Sequence, residues 1–174
     1  MIVDDNYLSA EGIEKNIDWE TLNAEIIHVC YNGTSAIEAM KKEPADLIIS
    51  DIEMPDLDGI SMSRQALEIN PMVKIILISA YDKFEYARRA LLLGALDYIE
   101  KPLDYAYLIQ KVKNAFALME KEQKNLQLLK QSRPLLTEKF FREITHLPSS
   151  EAAYRLKPYL KYLNLELNYD FYTV

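Results

Sequence analysis

The sequence predicts an α/β fold: five short strands alternating with helices, forming a doubly wound parallel sheet with helices on both faces. Two observations carry this. Short β-branched runs recur between stretches of helical periodicity, and three of them are mainly apolar, as parallel strands buried on both faces should be. Several runs also end in residues suited to phosphate or metal chemistry. Ile2-Val3 leads into Asp4-Asp5, Leu47 to Ser50 into Asp51, Val73 to Ile78 into Ser79, and Asp97 to Glu100 into Lys101-Pro102. In a parallel sheet these ends share the carboxyl edge, where ligand sites form.

The elements follow in order. After Asp4-Asp5 a helix is expected around Leu8 to Ile17, then a strand over Glu25 to Cys30 and a turn at Asn32-Gly33. Thr34 or Ser35 can cap a helix running to Lys42, with Glu38 as a capping-box partner, and Pro44 ends it. The strand at Leu47 precedes a loop, Asp56-Leu57-Asp58-Gly59, and a helix from about Ile60 to Asn70. The fourth strand is followed by a helix from Lys83 to Leu93, which Gly94 is placed to end. A last helix begins near Asp104. The opening strand is short beside the others, which suggests residues before Met1.

Leu108, Val112, Ala115, Met119, Leu126 and Leu129 recur at spacings of four and three, with Glu122 at one polar position. This is a heptad seam of about three repeats. Its first turns can pack on the sheet, but Glu120 to Asn125 is too polar for a core, so a signalling helix or short coiled coil is the better reading. Arg133-Pro134 is expected to break or kink the helix. Beyond it, Leu135 to Leu147 read as an amphipathic helix and Glu151 to Leu163 as another. Asn168 to Val174 read as a strand just beginning. The expected organisation is a domain over 1–120, a helical linker over 121–148, and the truncated start of a second domain over 149–174.

Composition narrows the function. Of 174 residues, 49% are hydrophobic and 27% charged, ordinary for a globular protein. A net charge of −7 argues against wholesale nucleic-acid binding by this segment, since no basic excess is available to neutralise phosphates. The single cysteine, Cys30, cannot form an internal disulfide and lies in an apolar stretch, as a small buried hydrophobe would. With no signal peptide and no membrane-length apolar run, a cytoplasmic location is the default.

The strand ends supply the chemistry. Asp4, Asp5 and Asp51 offer hard oxygen ligands suited to Mg²⁺. Asp51 is the candidate nucleophile, because a carboxylate can accept a phosphoryl group as an acyl phosphate. Lys101 offers a compact charge for a phosphate oxygen, and Ser79 a hydroxyl. Taken singly, such residues are common on surfaces. Four strand ends matching together are not.

Ile2-Val3-Asp4-Asp5-Asn6, Asp51 to Gly59, Ser79-Ala80-Tyr81 and Gly94 to Pro102 resemble, in that order and spacing, the receiver domain of two-component response regulators over about residues 1 to 120. The resemblance implies a flavodoxin-like strand order, 2-1-3-4-5. It implies Asp51 as phosphoacceptor, and Asp5 and Asp51 as Mg²⁺ ligands, with Asp4 assisting through water and the Glu53 backbone carbonyl as a further ligand. Lys101 would pair with the phosphoryl group, the Lys101-Pro102 peptide would be cis, Ser79 would be the switch hydroxyl and Tyr98 the switch aromatic. The implied partner is a sensor histidine kinase. Ile17-Asp18-Trp19-Glu20 and the stretch from Ser132 to Phe141 further resemble regulators with an AraC-type DNA-binding domain. DNA would then be reached only through a domain missing from this chain, no membrane would be involved, and the phosphorylated form would be a homodimer. Glu53 departs from the Arg often found there in that subgroup, and an acid two residues from Asp51 would alter phosphoryl lifetime.

Two other classes compete. An aspartyl-nucleophile phosphatase or phosphotransferase of the haloacid-dehalogenase kind has an acid-x-acid motif like Asp51-Ile52-Glu53, but its nucleophile sits on the first strand, and it needs a cap or substrate pocket. A phosphorylation-independent dimerisation module would rest on the helix at 105–132, and would leave the intact set Asp4, Asp5, Asp51, Ser79 and Lys101 without a role. The receiver reading makes the protein a switch, with only self-phosphorylation and self-dephosphorylation as chemistry.

Overall fold

The computed structural model describes residues 1–80 and 84–144. Five parallel strands, β1 (Ile2–Val3), β2 (Val29–Cys30), β3 (Leu47–Asp51), β4 (Lys74–Ser79) and β5 (Asp97–Glu100), form one sheet in the order β2-β1-β3-β4-β5. The helices are α1 (Tyr7–Asn16), α2 (Gly33–Lys42), α3 (Gly59–Ile69), α4 (Phe84–Leu93) and α5 (Tyr105–Ile144).

Alternation along the strands sends side chains to opposite faces. Val3, Ile48, Ile75 and Leu77 pack with Ala36, Met40, Ile60, Met62, Ala66 and Ala90, from α2, α3 and α4. Ile2, Ile49, Ile76, Ile78 and Ile99 pack with Ala10, Ile13, Leu108, Val112 and Ala115, from α1 and α5. All five residues of β3 are buried, which is why it reads as an unbroken apolar run up to its final polar pair. Each fully buried Ile or Leu contributes about 1.5–3 kcal/mol relative to an exposed one.

Three expectations are corrected. The strand predicted over Glu25 to Cys30 shrinks to Val29–Cys30. This is an edge strand whose partner is the two-residue β1, and hydrogen bonds from Ile2 to His28 and from Asp4 to Cys30 are as far as that ladder reaches. The cap of α2 is Asn32 rather than Thr34 or Ser35: its side chain accepts from the Ser35 N–H at 2.8 Å, which places Ser35, not Glu38, at the third helical position. The break expected at Arg133-Pro134 is not seen, since α5 runs on to Ile144. A proline removes one helical hydrogen bond, a loss that the rest of a 40-residue helix can carry. The predicted helix at Leu135 is therefore the tail of α5.

Asn6, Asp58 and Asp104 cap α1, α3 and α5, each accepting two backbone N–H bonds. Gly94, at φ 86°, ends α4 in the left-handed region. Along the predicted seam, Leu108, Val112 and Ala115 are completely buried, whereas Leu126 is 47% exposed. The seam thus serves the sheet for its first three members. The chain divides into two compact units, Met1–Leu118 and Met119–Val174. The predicted helix over Glu151 to Leu163, the strand at Asn168 to Val174 and the second domain start at 149–174 lie outside the described residues, as does Tyr81. No helix among the described residues is long and apolar enough to cross a membrane.

Candidate functional site

The strand register lines up the polar ends. Val3 pairs with Ser50, Asp51 with Ile78, and Ser79 with Glu100, so Asp4, Asp51, Ser79 and Lys101 fall side by side along the carboxyl edge. Asp4 and Asp51 are buried, at 1% and 6% exposure, and Ser79 is fully buried, while Asp5 is open to solvent. One oxygen from each of Asp4, Asp5 and Asp51 lies within 4.8 Å of the others. Lys101 Nζ donates to Asp51 Oδ2 at 2.5 Å and to Asp4 Oδ2 at 3.0 Å.

Three carboxylates against one ammonium leave an excess of negative charge. Burial pushes the Asp4 carboxyl above its ordinary value, and the hydrogen bonds from Lys101 and Asn6 only partly oppose this. For Lys101, burial works toward a lower value, but the bonds to Asp51 and Asp4 outweigh it and the ammonium is held above its usual range. Folding therefore keeps Lys101 charged and makes the Asp4 carboxylate costly. Hard oxygen donors with unneutralised charge at a partly open edge fit a small divalent cation.

The loop between β3 and α3 fixes Asp51. The Ile52 N–H donates to the Ile78 carbonyl at 2.9 Å and the Gly59 N–H to the Ile52 carbonyl at 2.8 Å, tying both ends of the loop to the sheet edge. Gly59 cannot carry a side chain here: a Cβ would lie 2.0 Å from the Asp51 carbonyl oxygen. Asp56 takes a left-handed φ of 67°, which an Asp tolerates better than most residues. The Glu53 N–H donates to Asp51 Oδ1 at 3.2 Å. On the other flank, the Lys101 N–H donates to the Ser79 carbonyl at 2.8 Å, and the Lys101-Pro102 peptide is cis.

Of the residues singled out from sequence, Asp4, Asp5, Asp51 and Lys101 come together, with Ser79 at the end of the neighbouring strand. Glu53 meets Asp51 through its backbone. Tyr98 stands apart: half-buried, it packs against the core on the α2–α4 face. Sequence reasoning missed Tyr86. From α4 its hydroxyl donates to Glu53 Oε1 at 3.2 Å across 33 residues, a contact that no local pattern announces.

Residues 1–113 match the response regulator receiver domain family. Over 122 residues the chain is 28% identical to the uncharacterized transcriptional regulatory protein YesN of Bacillus subtilis, covering 70% of this chain and 33% of YesN. The chain spans about a third to two-fifths of the length of the curated relatives it matches first. Among solved structures, the receiver domain of AraT, a response regulator from Geobacillus stearothermophilus, is 34% identical with a TM-score of 0.66, covering 70% of this chain and 95% of that one. A chain of the CheX–CheY–BeF3–Mg complex from Borrelia burgdorferi is 30% identical with a TM-score of 0.60, covering 66% of this chain and 86% of that one.

Proposed function

This chain belongs to the response regulator receiver domain family, and from that premise we propose that it is a phosphorylation switch whose phosphoryl group is carried by Asp51. The observation that carries the reading is Lys101 bridging buried Asp4 and Asp51, beside exposed Asp5, in a cluster richer in acid than in base.

In this reading the donor is the phosphohistidine of a sensor histidine kinase. An Asp51 carboxylate oxygen bonds to phosphorus as the phosphorus–nitrogen bond breaks, and the imidazole leaves with the bonding pair. Asp5 and Asp51 would hold Mg²⁺, with Asp4 assisting through water and the Glu53 carbonyl as a further ligand. The ion would neutralise charge on the acids and on the phosphoryl oxygens. That the similar CheX–CheY complex contains Mg²⁺ supports the choice of cation. Lys101 exchanges its carboxylate partner for a phosphoryl oxygen. Ser79 donates its hydroxyl to another, and Tyr98 turns into the space that Ser79 leaves, altering the face made by α4, β5 and α5.

The rest of the proposal follows the relatives. Residues 1–120 act as the receiver and 121–148 as a helical linker, with 149–174 starting a second domain. A transcriptional, DNA-binding output region lies outside the matched residues, a reading that the transcriptional relative YesN supports. The phosphorylated protein is a cytoplasmic homodimer without enzymatic turnover. The test is incubation with Mg²⁺ and acetyl phosphate, with Asp51→Ala as control, followed by intact mass and association state. The expected result is one phosphoryl group on the wild type, none on the variant, and a rise in association. A wild type that gains no phosphoryl group refutes the reading, and turnover of small phosphate esters would favour the phosphatase class.

A further inference from the structure

Glu53 stands between two elements. Its backbone N–H donates to the Asp51 carboxylate at 3.2 Å, while its own carboxylate accepts from the Tyr86 hydroxyl on α4, also at 3.2 Å. The Tyr86 ring is half-buried against the core beneath α4, so the hydroxyl is presented from a packed position rather than from a loose surface side chain. Although Glu53 is only two residues from Asp51, its carboxylate is not among the three acids whose oxygens converge there.

That separation has an electrostatic consequence. The cluster already holds three carboxylates against Lys101, and a fourth turned toward it would draw a cation more strongly and repel an incoming anion. A neutral phenol on another element holds the fourth charge by a directed hydrogen bond. We propose that Tyr86 is a positioning residue for the acid site: it keeps the Glu53 carboxylate turned to α4, so that the position of α4 sets how much negative charge Asp51 faces. This rests on the reading of Asp4, Asp5 and Asp51 as the cation site and of Asp51 as the phosphoacceptor. It adds a connection between α4 and the site that does not pass through Ser79 or Tyr98.

A double-mutant cycle tests it, using the whole chain as wild type, Tyr86→Phe, Glu53→Gln and the double variant. Each is titrated with Mg²⁺ alone by calorimetry, and each is followed for phosphoryl uptake from acetyl phosphate by intact mass. Tyr86→Phe removes one hydroxyl and keeps the packed ring. It should tighten Mg²⁺ binding and slow uptake from the anionic donor by about two- to five-fold each, the range expected when one hydrogen bond to a half-exposed carboxylate is lost. In the Glu53→Gln background, Tyr86→Phe should change neither. Tyr86→Phe indistinguishable from wild type in the Mg²⁺ titration overturns the proposal, as does an equal shift with and without the Glu53 carboxylate. If no variant takes up phosphoryl while the Mg²⁺ cycle behaves as expected, the phosphoacceptor reading fails and the positioning role stands. Normal uptake on Asp51 with no coupling between the two residues means the opposite: the phosphoacceptor stands and the positioning role fails.

Discussion

Two lysine–aspartate contacts in this molecule have similar geometry and different surroundings. Lys111 Nζ lies 2.6 Å from Asp97 Oδ2 and 4.7 Å from the centre of the Tyr107 ring, with both charged side chains between a fifth and a quarter exposed. Lys101 Nζ lies 2.5 Å from Asp51 and 3.0 Å from Asp4, both buried, and Asp5 adds its charge from the solvent side. The first contact is balanced one to one. Asp97 holds the Lys111 ammonium well above its ordinary value, and the pair needs nothing further. The second is short of positive charge, because Asp4 and Asp51 share one lysine and Asp5 lies beside them. A short Lys–Asp distance therefore says little by itself. Charge balance and burial separate an ion pair that fastens α5 to β5 from one set among acids in excess.

Each pair can be removed in turn. The largest expected effect is from Lys101→Met, which leaves Asp4 and Asp51 buried without their cation. Urea unfolding should show a loss of about 3 kcal/mol without Mg²⁺, and added Mg²⁺ should restore part of it. If Mg²⁺ restored nothing, the acids would not be a cation site. A smaller effect is expected from Asp5→Asn, which removes an exposed charge and spares the buried pair. Calorimetry should show Mg²⁺ affinity weakened by roughly tenfold, with little change in unfolding. Equal Mg²⁺ affinity in this variant would take Asp5 out of the site. The smallest effect is from Lys111→Met: a slightly lower melting temperature and an unchanged Mg²⁺ titration, because its acid partner Asp97 is more exposed than Asp4 or Asp51 and begins β5, at the opposite end from the carboxyl edge. A Mg²⁺ response there would mean that the two pairs are not independent.

The same contrast separates what the residues alone could tell from what they could not. Asp4, Asp51 and Ser79 were legible because each ends a mainly apolar run, and Lys101 because it ends a fourth short strand; parallel topology sends such ends to one edge. Tyr86 was not, since its link to Glu53 depends on how α4 sits over the loop after β3, and no periodicity encodes that. Asn32 was passed over as a cap because Thr34 and Ser35 offered the same chemistry two and three residues later. The Asn32 side chain takes the Ser35 N–H at 2.8 Å, and Gly33, the first helical residue, lies close to Leu57, where a Cβ would be 2.4 Å from the Leu57 carbonyl oxygen. The seam on α5 was legible as a spacing, but spacing is silent on the partner. Leu108, Val112 and Ala115 find theirs on the sheet, while Leu126 is 47% exposed. Pro134 misled for a plain reason: a local penalty was read without the length of helix around it.

If the charge-deficient edge is where phosphate is taken up, the modified residue can be located directly. After incubation with Mg²⁺ and acetyl phosphate, proteolysis and tandem mass spectrometry of the intact acyl phosphate would assign it. Phosphoryl is expected on Asp51, and chelation of the metal is expected to abolish it. Phosphoryl on any other side chain, or uptake at Asp51 that is indifferent to the metal, would contradict the assignment.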